Sequence, residues 1–138
     1  MNRTAAQRAY FAVNAILAGV ILLIMGYSVF YSPDENRYPV VCIHEKLTGE
    51  QCPSCGLSHA FSLIIRGRID EALQLNSASL RVFLFFALQL VLRIVLGARS
   101  LVTVRWLKQI TRGDTLISSV MTLYAFYPFL HALWMAVF

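Results

Sequence analysis

Charge is what this chain has least of. Charged residues make up 14% of its 138 positions, against roughly 25% in an ordinary soluble domain. Hydrophobic residues reach 58%, which excludes intrinsic disorder. A soluble globule is also disfavoured, because one domain this small cannot hide so much apolar surface in a single core. Acids are scarcer than bases: seven Asp and Glu stand against twelve Lys and Arg, for a net charge of +5. The positives are spread along the sequence and flank apolar runs, so no clustered basic face points to a nucleic-acid partner. There is no internal repeat and no low-complexity tract. No A-x-A cleavage site follows the first apolar run, which reads as a retained span rather than a signal peptide. Gly56, not histidine, follows Cys55, which excludes a c-type haem attachment motif.

What is present is a set of three long apolar runs. Residues 10–31 carry no charge and, as a helix, would reach roughly 33 Å, enough to cross a bilayer. Residues 76–97 contain Arg81 and Arg93. The uncharged stretch between them is too short to cross alone, so both arginines are expected near the ends, snorkelling outward. Arg81 is a candidate for a lipid phosphate or for an acid from the preceding loop, Gln89 for an interhelical hydrogen bond, and Arg93 reads as a topology charge. Residues 115–138 have His131 as the single side chain that ionises near neutral pH, with Tyr124, Tyr127 and Trp134 as interfacial anchors. Pro128 is a candidate kink. The fold class is therefore an all-α integral membrane domain: three transmembrane helices and a folded external loop, residues 32–75.

Orientation follows from the basic residues. Arg3 and Arg8 lie in the N-terminal tail; Arg99, Arg105, Lys108 and Arg112 lie in a basic loop, residues 98–114. Both are expected in the cytoplasm, with the acidic loop 32–75 and the C-terminus outside.

All three cysteines, Cys42, Cys52 and Cys55, fall in that external loop. From Cys55 to Arg66 the apolar residues recur with a helical period, so Cys55, His59, Ser62 and Arg66 share a narrow polar stripe. Gly67 is expected to end this helix. A second short helix follows at residues 70–75, with Asp70 as its candidate cap. Both are too short to cross, and are expected to be interfacial or re-entrant.

The cysteines admit three readings. An exported loop favours a structural disulfide, Cys42 with Cys52 or Cys55, leaving one thiol over. The turn Cys52-Pro53-Ser54-Cys55-Gly56 also has the shape of a metal knuckle. Zinc or iron would then need Cys42 and a histidine, with His59, His44 and His131 as candidates. A thiol at a helix N-terminus, near His59 or Arg66, would in turn be acidified and suited to disulfide redox work, with Cys52 and Cys55 as the catalytic pair.

The run from Cys42 through Cys52-Pro53-Ser54-Cys55-Gly56-Leu57-Ser58-His59-Ala60 to Asn76 resembles a bacterial membrane family known as domain of unknown function 2752. The resemblance singles out Cys42, Thr48, Gly49, Cys52, Pro53, Cys55, Gly56, Leu57, Ser58, Ala60, Gly67 and Asn76. This chain departs from the pattern at His59, where the family usually has Arg, and at Ser77, where it usually has Pro. The resemblance implies a bacterial inner-membrane location and architecture, and no reaction or cofactor. The leading expectation is a non-enzymatic subunit or docking partner, associating with other membrane subunits or with itself. The alternative is a thiol-redox or metal-binding membrane enzyme built on Cys52, Cys55, Cys42 and His59.

Overall fold

A computed structural model describes residues 3–30, 56–102 and 106–137. Five helices follow in order: α1 (Arg3–Phe30), α2 (Leu57–Ile65), α3 (Ile69–Leu75), α4 (Ser79–Val102) and α5 (Leu107–Val137). No strand occurs among the described residues.

Within α1, α4 and α5, the stretches Ala5–Phe30, Ser79–Val102 and Leu107–Met135 are long and apolar enough to cross a membrane. Their burial pattern is the reverse of a soluble core. Leu23 is 76% exposed, Leu116 68% and Met135 68%. Polar Asn14, Gln89, Arg93, Ser100 and Asp114 are buried. Apolar side chains face outward, where lipid tails accept them, and polar ones face inward, where partners satisfy them. The protein is a multi-pass membrane protein of helical class.

Element boundaries differ from the sequence reading at several places: α1 already begins at Arg3, and α4 begins at Ser79 rather than at residue 76. The expected basic loop 98–114 is helical over most of its described length: α4 runs to Val102 and α5 starts at Leu107. Asp114 thus stands inside a helix, held by tertiary partners that no local pattern reveals. The loop helices also shift. The first opens at Leu57 rather than Cys55, because Gly56 takes a left-handed φ of 75° and becomes its N-cap. The second starts at Ile69 with Arg68 as N-cap, so Asp70 lies in its first turn rather than capping it.

The chain divides into two compact units. One comprises Met1–Ile24 with Leu84–Tyr124, and the other Met25–Phe83 with Ala125–Phe138.

Candidate functional site

The unit Met25–Phe83 with Ala125–Phe138 carries the described half of the cysteine motif. Cys42, Thr48, Gly49, Cys52, Pro53 and Cys55 lie outside the described residues, as do the disulfide and the main part of the zinc or iron site expected there. Description begins at Gly56, whose carbonyl accepts from the Ala60 N–H at 2.8 Å. A Cβ on Gly56 would stand 3.5 Å from the Leu75 carbonyl oxygen, so Gly56 lies against the end of α3. Leu57, Ser58 and His59 form the first turn of α2 and are half-buried. Ala60, Leu63 and Ala72 make the apolar core of the α2–α3 pair, with Ile64 packed against it. Two fully buried alanines let the short helices approach closely.

The end of α2 is closed by its own backbone. The Gly67 N–H donates to Ile64 and the Arg68 N–H to Leu63, each at 3.0 Å. With Gly67 at φ 80°, this is a Schellman closure, which a left-handed glycine permits. Arg68 and Glu71 pair at 2.7 Å on the exposed face.

Arg66 and Ser62, half of the expected polar stripe, do meet. The Arg66 guanidinium donates to the Ser62 hydroxyl and to the Ser62 carbonyl at 3.0 Å. It also reaches the Val29 carbonyl at 3.1 Å and the Ser28 carbonyl at 3.5 Å. Those carbonyls lie in the last turn of α1, where the helix dipole favours a cation. Arg66 therefore ties the motif helix to a membrane helix.

Asn76 organises the next turn. Its side-chain oxygen accepts the Ala78 N–H at 2.9 Å and its carbonyl accepts the Ser79 N–H at 3.0 Å, an Asx turn that launches α4. The Ser79 hydroxyl donates back to Ala72 at 3.2 Å. Phe61 and Phe83 meet edge-to-face at 5.5 Å. Arg81 is half-buried in the first turn of α4, and His131 is exposed beside Tyr127 at 6.0 Å. Among the described residues, no group of three or more His, Cys, Asp or Glu gathers.

The other unit holds a polar cluster that the sequence reading missed. Arg93 and Asp114 are each 7% exposed and form an ion pair between α4 and α5. The guanidinium donates to both carboxylate oxygens. It also donates to Asn14 Oδ1 of α1 at 3.0 Å, Ser118 Oγ at 2.6 Å and Gln89 Oε1 at 3.3 Å. A guanidinium has five N–H groups, and each has an acceptor here. Asp114 further accepts from the Tyr10 hydroxyl at 2.7 Å and from Ser118 at 3.1 Å. Gln7 closes the same bundle by donating to the Ser100 carbonyl at 2.8 Å. Gln89 does cross between helices, but to the Met121 sulfur at 3.8 Å.

Arg93 is thus a buried partner rather than a snorkelling topology charge. The available signal was Asp114: it is the one acid outside loop 32–75, and a mid-span arginine needs a counterion. With every N–H of the Arg93 guanidinium and both oxygens of Asp114 engaged, the pair acts as a clasp between helices.

Residues 42–90 match the family described as Protein of unknown function (DUF2752). This is the family that the cysteine motif resembles. No curated protein and no solved structure matches the chain.

Proposed function

We propose that this protein is a non-enzymatic subunit or docking partner in a larger assembly of the bacterial inner membrane. Its N-terminus lies in the cytoplasm; loop 32–75 and the C-terminus lie outside, following the distribution of Lys and Arg. The cysteines brace that loop as a rigid surface for another membrane subunit or for a second copy.

The observation that carries this reading is the base on which the motif stands. The α2–α3 pair has its own small apolar core, a closed helix end and an arginine tied to the last turn of α1. Arg66 has four oxygen acceptors, which supports a structural role for its guanidinium. Such a platform suits presentation of a surface better than a step that needs mobile, exchanging sulfurs.

The test is Cys55→Ala in the full chain expressed in its own membrane. A docking role predicts that the variant still inserts and that the native assembly shifts to a smaller species on a native gel. An unchanged assembly, with loss of a thiol-dependent activity instead, would overturn the reading.

A further inference from the structure

The clasp fixes which ends of the helices lie together. Asn14, Arg93 and Asp114 are hydrogen-bonded at one level of α1, α4 and α5. Arg8 stands six residues before Asn14, Arg99 six after Arg93, and Lys108 six before Asp114. At about 1.5 Å per residue each is roughly 9 Å from that level. The directions agree, because the Gln7 to Ser100 bond pairs the start of α1 with the end of α4. Arg112 lies on the same stretch of α5. All four cations are exposed.

Their own unit offers them almost no acid. Met1–Ile24 and Leu84–Tyr124 contain a single acid by sequence, Asp114, and Arg93 holds it. Among the described residues, none of the four cations has a hydrogen bond or an ion pair. Beside them, Trp106 is 53% exposed, Leu101 55% and Val102 85%. Cations, a tryptophan and bare apolar side chains at one helix end match the layering of a bilayer surface: phosphate, interface, then acyl chain.

We infer that this end of the bundle is a binding surface for anionic phospholipid headgroups, formed by Arg8, Arg99, Lys108 and Arg112 around Trp106. A nucleic acid would match the charge but has no use for the apolar faces that run directly out of it. The inference rests on the membrane-spanning reading.

Trp106 is a built-in reporter. With Trp134→Phe it becomes the sole tryptophan. The full chain is reconstituted into vesicles of phosphatidylcholine containing brominated phosphatidylglycerol, or brominated phosphatidylcholine as reference. Identical leaflets make the reading independent of orientation. The expected result is quenching by brominated phosphatidylglycerol above its mole fraction. The relative affinity should drop about five-fold for each of Arg99→Gln and Arg112→Gln, hold with Arg99→Lys, and fall at high salt. Quenching in proportion to mole fraction, or unchanged by neutralisation, overturns the headgroup proposal alone. Relief of the excess by a short RNA assigns the surface to nucleic acid instead. No quenching by either lipid overturns the proposal and the membrane reading together.

Discussion

Asp114→Asn changes one heavy atom and leaves the side-chain shape intact, yet it removes the counterion that, among the described residues, pairs with a guanidinium 7% exposed. Two magnitudes compete. If the cluster works as a set of ordinary hydrogen bonds between membrane helices, the cost is about 0.6 kcal/mol and at most about 1.7. If the charge is what matters, Arg93 is left buried and unpaired, and the cost is about 3–5 kcal/mol. The geometry favours the second: both carboxylate oxygens face the guanidinium, and Asn14, Ser118 and Gln89 supply neutral dipoles that cannot replace a charge. Such a loss is a large share of a total stability of roughly 5–15 kcal/mol. The double variant Arg93→Met with Asp114→Leu removes both charges together and should come within about 1 kcal/mol of the parent, or above it. Equilibrium unfolding in detergent micelles, run as a double-mutant cycle, reads both. Additive single costs, or an Asp114→Asn variant within about 0.5 kcal/mol of wild type, would refute the reasoning.

Other outcomes follow from the motif platform and are read by the same unfolding assay. Gly56→Ala and Gly67→Ala should each cost about 1–2 kcal/mol, since both positions need a left-handed backbone that a Cβ penalises; equal stability would argue that those turns rearrange freely. Ser77→Pro should stabilise by about 0.4–1 kcal/mol: Ser77 follows an extended Asn76 (φ −154°, ψ 112°) and occupies the second position of the Asn76–Ser79 turn, where proline is favoured. Destabilisation there would place the turn in another conformation. Arg66→Gln should speed amide exchange in the last turn of α1 and in α2 by removing the tie to Ser28 and Val29, with α4 unaffected; unchanged exchange would mean the arginine is ornamental.

The parts legible in the sequence are those set by local chemistry. Three uncharged or nearly uncharged runs mark the helices because backbone groups in lipid must be satisfied within the segment. Positive φ at Gly67 follows from a glycine at the end of a helical period. The period also placed Ser62 and Arg66 on one face, although not the reach of Arg66 to α1, which depends on where another helix ends. Asp114 was hidden for a different reason. Next to Arg112 it reads as part of a basic loop, and its role appears only when Asn14 and Arg93, far away in sequence, come beside it. The cationic end has the same origin: Arg8, Arg99 and Lys108 look scattered along the chain until three helices are pinned at one level.

The central claim is that the cysteines brace a docking loop rather than carry out chemistry. A count of free thiols tests it most directly, by alkylation and intact mass on protein purified without reductant. The account predicts one free thiol of the three, with Cys42 in the bridge and linked to Cys52 or Cys55. A Cys52–Cys55 bridge would contradict it in favour of redox work. Three thiols that react only after a chelator is added would contradict it in favour of a metal site.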